Sequence, residues 1–412
     1  MLSYQEALSL IACEAKLQST HTIDFRQSCG HIAAEDIGSP ICIPPFGNSA
    51  MDGFALSSAW THHATQERPL IFQVGDCLAA GDVASGYADG MAIEIMTGAK
   101  MPPHCDAVVP IEQVECVTGP NGETIEIRLL RTLAPRENVR LRGEDFTVGQ
   151  SLIKKGTRLH AGHIAAMAAT GVRQISVRHM PSVDVITTGK ELSDKYHAPL
   201  ADGEIYDSNT PYLISHLQSA GIEVVHLNNI GDSPALFFEA LNGLTRASIV
   251  ISSGAVSKGR WDFIPEILKK QGARIIFHGV AIKPGKPILF AVLPDGRYYF
   301  GLPGNPVAVA VGLRFFVQPL IRHLLGMPEE KLHGHKLAQS FEKKGGLRHF
   351  LKAHLQSDDQ GLTCVRILHG QESFKISPLL EMNCWAIVGE ETNTLLANDS
   401  VRTASLELFP AF

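Results

Sequence analysis

The chain has no CxxC pair and no Cys/His spacing suited to zinc, although it carries eight cysteines. Neither a disulfide framework nor a structural zinc site is therefore expected, and the thiols read as reduced, in a cytoplasmic setting. It has no basic excess either: 36 Lys+Arg against 42 Asp+Glu leave a formal net charge of −6, which argues against non-specific nucleic-acid binding. No uninterrupted apolar run approaches the roughly 18 residues of a membrane span. The N-terminal MLSYQEALSLIACEAKL carries Glu6 and Glu14 and lacks a basic start, unlike a signal peptide. No nucleic-acid partner and no membrane partner are expected. Internal repeats and low-complexity tracts are missing, and the lack of GxxxxGK[ST] excludes a Walker nucleotide site.

What is present is 45% hydrophobic residues over 412 positions, enough apolar surface for more than one core. Leu8, Ile11, Ala12 and Ala15 fall on one helical face, predicting a helix from Ser3 to about Leu17. From Ile41 to about Gln150, short Val/Ile runs broken by Gly, Pro and Asp predict strands and turns. An Ala-rich helix is expected at Leu159–Ala169, with Gly171 suited to a left-handed cap. From Ser182 apolar strands alternate with amphipathic helices, ending in a long helix from about Pro306 to Leu325, the pattern of a parallel sheet covered on both faces. After Gly326-Met327-Pro328 short strand-like runs return and predict a small β domain. The fold class is thus multidomain α/β plus β.

Ligands of doubly covered sheets bind beyond the carboxyl ends of the strands, and four loops fall there. Thr187-Thr188-Gly189-Lys190-Glu191 offers hydroxyls, amides and a carboxylate, or a plain capping turn. Ser252-Ser253-Gly254-Ala255-Val256-Ser257-Lys258-Gly259 offers small side chains and amides to a phosphate, with Asp262 behind it as a metal-ligand candidate. Lys283-Pro284-Gly285-Lys286-Pro287 sets two ammonium groups three residues apart, suited to an oxyanion. Gly301-Leu302-Pro303-Gly304-Asn305-Pro306 opens the long helix, whose amides and dipole favour an anion. In the β-rich region, Gly47–Gly53, Met96–Ala99 and Arg140–Asp145 read equally well as turns or as a site. His62-His63 and the pair His333 and His335 read as solvent-facing rather than as metal ligands.

PPFGNSAMDGFA, MTGA, RGED, TTGKEL, SSGAVSKGRWD, KPGKP and GLPGNPVA occur here in the order found in the molybdopterin molybdenumtransferases, the MoeA and gephyrin E-domain family, which the chain resembles from its N-terminus to about Leu325 and more weakly beyond. The resemblance implies five segments: an N-terminal helix (1–20) packed on the α/β domain, a discontinuous linker domain (21–43 and 146–180), a β-rich domain (44–145), a MogA/MoaB-like molybdopterin-binding α/β domain (181–326) and a C-terminal β domain (327–412). It implies a Mg²⁺-dependent enzyme that takes adenylylated molybdopterin and molybdate and releases AMP. By motif, Asp52, Asp145, Glu191 and Asp262 would be catalytic, Glu191 and Asp262 holding Mg²⁺. Thr97, Thr188, Asp232, Ser253, Gly254, Ser257, Lys283, Lys286, Pro303 and Pro306 would bind cofactor, as would Arg348 and Ser373 from the C-terminal domain. A homodimer is implied, with its site between subunits, and a molybdopterin adenylyltransferase and molybdoenzymes are candidate partners.

Five positions depart from the family pattern where chemistry is expected. Gly47 replaces an Asp, Lys190 an acid, Ala255 a Gly and Ala308 a Ser, while Lys258 breaks an SVG motif. These departures also fit a divergent paralogue that binds molybdopterin or inserts tungstate, and the gephyrin resemblance leaves a non-catalytic cofactor-binding scaffold as a further alternative.

Overall fold

The computed structural model describes residues 1–83, 89–244, 247–256, 263–357 and 361–410. At its centre is a six-stranded sheet in the order Val224–Ile230, Val183–Thr188, Ile249–Ser253, Tyr298–Leu302, Leu289–Val292, Arg274–His278. The first four strands are parallel and the last two antiparallel. Val183–Thr188, Ile249–Ser253 and Tyr298–Leu302 are buried at every residue, as strands covered on both faces must be. Val183–Thr188 lies between the two strands that follow it in sequence, so the winding direction reverses beside it and a crevice opens at the carboxyl ends Thr188 and Ser253.

The long helix read at the end of this domain is interrupted. It runs as Pro306–Gly312, a π-turn Leu313–Val317, and Gln318–Leu324. Pro319 has no N–H to offer Phe315, and the freed Phe315 carbonyl instead accepts from the Tyr4 hydroxyl at 3.4 Å. By length and composition this helix alone among the described residues could cross a membrane (19 residues, mean hydropathy 1.3), but 83% of its most apolar stretch is buried inside the protein. The sequence reading, which looked for uninterrupted apolar runs, passed it over because Arg314 and Gln318 break the run.

The first helix, Tyr4–Glu14, starts at a capping box in which Ser3 and Glu6 satisfy each other's backbone amides. Tyr4, Ala7 and Ile11 pack into the α/β core. It stops short of Leu17 because tertiary bonds take over: Lys16 N donates to the Tyr298 hydroxyl at 2.9 Å and Gln18 N to the Leu324 carbonyl at 2.8 Å.

The two stretches flanking the β-rich region form one unit. Thr20–Asp24 pairs antiparallel with Gln174–Arg178, and Ile37–Gly38 with Ser151–Ile153. Helix Ala161–Thr170, closed by Gly171 at φ 77°, covers a core of Ala33, Ile153, Met167 and Ile175. Between them stands a six-stranded sheet in the order Ala107–Pro110, Gly53–Leu56, Ala92–Ile95, Leu70–Leu78, Thr124–Leu129, Val114–Thr118. The chain enters it after Ile43 and leaves before Phe146, and Ile43 N donates to the Phe146 carbonyl at 2.7 Å.

The C-terminal domain is a closed barrel. Arg348–Ser357 pairs with both Thr363–Ile367 and Cys384–Val388, while His333–Leu337 and Ser400–Ser405 complete the ring. Ile282–Lys283 of the α/β domain pairs in parallel with Arg348–His349, joining a basic loop to the barrel.

Candidate functional site

A cavity of about 1010 Å³ lies where the carboxyl edge of the parallel sheet meets the barrel. Thr188 and Ser253 end neighbouring strands on its floor, and the Thr188 hydroxyl donates to the Ser253 carbonyl at 3.3 Å. Gly254 follows at φ 101°, where a Cβ would come within 2.5 Å of the Thr188 carbonyl oxygen, so only glycine fits. Ala255 sits at φ 50°, in the left-handed region that an L side chain enters at a cost.

Asn209 ties this floor together. Its Nδ2 donates to Ser253 Oγ at 2.9 Å and to the Gly304 carbonyl at 2.7 Å, while its Oδ1 has no partner among the described residues. Asp207 Oδ1 accepts from the amides of Asn209 (2.9 Å) and Thr210 (3.1 Å), capping helix Asn209–Ser219. This buried carboxylate is committed to the fold.

The anionic side of the cavity is formed by Glu191 and Asp232. A Cβ on Gly189 would lie 2.8 Å from Glu191 Oε1, which shows how closely that carboxylate folds over the loop. Asp232 Oδ2 receives the Lys190 amide at 3.5 Å. Among the described residues no three His, Cys, Asp or Glu gather tightly enough to hold a metal ion. The exposed Glu191 and half-buried Asp232 carboxylates in one cavity still suit Mg²⁺, which keeps water and substrate phosphate in its coordination shell rather than demanding a full protein cage.

The cationic side is the loop of Lys283 and Lys286, both exposed and, among the described residues, without an ion pair. Its attachment to the barrel sets His349 beside Lys283. Burial, helped by the charges of Lys343 and Lys283, lowers the His349 pKa to about 4, leaving the imidazole neutral near pH 7. Pro303, Pro306 and Ala308 line the same cavity at the start of the long helix, where the Val307 amide donates to the Ser373 carbonyl at 3.0 Å.

Arg348 is not brought into this cavity. In the paired strands Ile282 stands opposite Arg348 and Lys283 opposite His349, so His349 shares the face of Lys283 and Arg348 faces the other way. Its guanidinium pairs with Glu390 at 3.0 Å, lies 5.0 Å from the Tyr4 ring centroid, and lines a second cavity of about 970 Å³.

Asp52, Thr97 and Asp145 lie in or beside the β-rich domain and do not line the large cavity of their own chain. Asp52 Oδ1 accepts both the amide and the hydroxyl of Thr97, at 2.6 and 2.8 Å, and these bonds pull its pKa down. Gly53 follows because a Cβ there would fall 2.0 Å from the Val109 carbonyl oxygen. The three β-region motifs are bonded together, with Asp52, Thr97 and Asp145 exposed over buried Asn48, Ser49 and Ala99: Asn48–Ser49 pairs with Val139–Arg140, Ser49 N donates to the Ala99 carbonyl, and Asp145 N to that of Ile43. Ser257, Lys258 and Asp262 lie outside the described residues.

Reading the sequence missed Tyr206, Asp207, Asn209, Phe374 and Ile376, all of which line the cavity. An Asp-Ser-Asn run before a helix was a signal for the cap. Phe374 and Ile376 had none.

Residues 2–171 match the family model for the MoeA N-terminal region (domain I and II), and residues 184–323 that for a probable molybdopterin binding domain. A molybdopterin molybdenumtransferase of Staphylococcus aureus (strain MRSA252) is 34% identical over 365 residues, 88% of this chain and 85% of that protein. One of Synechococcus elongatus is 32% identical over 420 residues, 98% and 100% of the two chains. The crystal structure of a molybdopterin biosynthesis moeA protein from Pyrococcus horikoshii OT3 superposes with a TM-score of 0.83 at 26% identity, covering 98% of this chain and 99% of that one.

Proposed function

Because the chain belongs to the MoeA family of molybdopterin molybdenumtransferases, and is thus a transferase of molybdenum cofactor biosynthesis, we propose that its large cavity takes adenylylated molybdopterin and molybdate and releases AMP. The observation that carries this reading is the placing of two ammonium groups without an ion pair among the described residues, Lys283 and Lys286, in one cavity with Glu191 and Asp232. Such a cavity holds a dianion and a phosphate-bound cation side by side.

In this reading Lys283 and Lys286 hold molybdate, and the loops at Thr188, Ser253, Gly254 and Pro306 take the phosphates through hydroxyls, amides and the helix dipole. Glu191 and Asp232 would hold Mg²⁺, which when bound polarises the phosphate oxygens. A Glu191 carboxylate oxygen receives the proton of the water that cleaves the phosphoanhydride, with AMP as leaving group. The Asp52–Thr97 patch does not line the cavity of its own chain, so the motif assignment requires a homodimer in which a second copy supplies that patch. The enzyme would act in the cytoplasm, receive its substrate from a molybdopterin adenylyltransferase and pass its product to molybdoenzymes.

A second reading is favoured by Ala308, which puts a methyl where the family places a hydroxyl on the cavity wall, and by Ala255 at its left-handed position. In that reading tungstate is preferred, or the ligand is held without efficient turnover. AMP release from adenylylated molybdopterin with Mg²⁺, measured with molybdate, with tungstate and with neither, decides. Molybdate-dependent release is expected; tungstate-dependent release selects the second reading, and tight pterin binding without release makes the protein a cofactor-binding scaffold.

A further inference from the structure

Phe374 stands on the lip of the large cavity with 64% of its surface exposed. An exposed phenyl ring gains little from folding, yet the short loop that carries it is fixed on every side. Lys352, fully buried in the barrel, donates from Nζ to the Glu372 and Lys375 carbonyls, each at 3.2 Å, the two positions that bracket Ser373 and Phe374. Gln371 accepts the Lys352 amide at 3.0 Å and returns a bond to the Lys352 carbonyl at 2.9 Å. On the other side the Ser373 carbonyl receives the Val307 amide at the start of the long helix.

A buried ammonium is tolerated only where it finds good acceptors, and here both are backbone carbonyls of one loop. Lys352 is therefore spent on the conformation of residues 372–375. What that conformation presents to solvent is the Phe374 ring, in the same cavity as the Tyr206 ring, itself 39% exposed. Two exposed aromatic side chains from different domains on one cavity rim suit a flat, weakly hydrated heterocycle.

We propose that Phe374 is a specificity-determining residue that covers the pterin plane of the substrate, with Lys352 as the positioning residue that holds it there. The proposal rests on the reading of this cavity as the molybdopterin site. It assigns the phosphates and oxyanion to the polar floor and the bicyclic ring to the Phe374 and Tyr206 rim. The ring is thus recognised by a face contact whose worth does not depend on charge.

The test uses the full chain and measures Kd for molybdopterin and, separately, for AMP, together with kcat and KM for AMP release. For Phe374→Ala, Kd for molybdopterin should rise about 5- to 10-fold, the size of a lost aromatic contact, with AMP binding changed less than about twofold. Phe374→Trp should restore binding. Lys352→Met should raise KM with kcat held within about twofold, a split that general destabilisation does not produce. If the wild-type chain binds AMP but not molybdopterin, the reading of the cavity itself fails. If wild type binds molybdopterin and Phe374→Ala binds it equally well, this proposal fails and that reading survives. Normal pterin binding by a Phe374→Ala protein that has become monomeric would assign the ring to a subunit contact and would also overturn the proposal.

Discussion

The junction of the α/β domain and the barrel holds two cavities of nearly equal size, about 1010 and 970 Å³, and the long helix contributes its first turns to one and its last turns to the other. Both contain cations, but three arginines of the smaller are used differently from the two lysines of the larger. In the smaller cavity Arg314 is bonded to Glu330 and the Ser405 carbonyl, Arg322 to the Pro328 carbonyl and Arg348 to Glu390. In the larger, Lys283 and Lys286 make no ion pair among the described residues. Cations already matched by protein acceptors are committed to the fold, and ones without an ion pair among the described residues are available to a ligand. Charge content alone does not separate the two uses.

The largest effect expected from this contrast is on chemistry. Replacing Lys283 and Lys286 together by Ala should lower kcat/KM for molybdate-dependent AMP release by about 10²- to 10³-fold while leaving the melting temperature nearly unchanged. A double variant with wild-type activity would erase the distinction. The complementary change, Glu330→Gln, leaves Arg314 buried without its anion and should cost about 3 kcal/mol in urea unfolding, with activity of the folded protein intact. Lost activity at unchanged stability would place the smaller cavity in the reaction.

His349, on the face of Lys283, gives an intermediate effect that depends on pH. Below pH 6.5 the unfolded chain takes up a proton at this residue that the folded chain accepts only near pH 4. Stability should therefore fall as pH drops from about 6.5 to 4 and level off beneath, by on the order of 2 to 3 kcal/mol. His349→Gln should flatten that part of the profile; an unchanged profile would show that this buried imidazole does not set it. Smallest is Ala255→Gly, which relieves a left-handed alanine and should stabilise the chain by about 1 kcal/mol. A destabilised glycine variant would show that the methyl packs usefully against the cavity wall.

Much of the fold was legible because the strands of the central sheet are continuous apolar runs ending in Gly- and hydroxyl-rich loops, and those loops do converge on one cavity. The π-turn at Leu313–Val317 was not legible: Pro319 predicts a disturbance, but the way it is absorbed depends on Tyr4, some 300 residues away. Arg348 was named from the family resemblance as a cofactor contact, yet strand alternation against Ile282–Lys283 turns it to the other cavity, and no local pattern announces that register. Phe374 was silent because its place depends on Lys352 and Val307, both distant in sequence.

The hydrogen bond between Ile43 and Phe146 closes the neck of the β-rich stretch, so the chain leaves the linker domain and returns to it at one point. The two ends of that stretch are already joined, so the linker domain has its own core whether the excursion between them is a hundred residues or a turn. A chain in which a short turn bridges Ile43 to Phe146 should keep its central sheet, its barrel and both cavities, and lose only what the patch around Asp52 and Thr97 contributes.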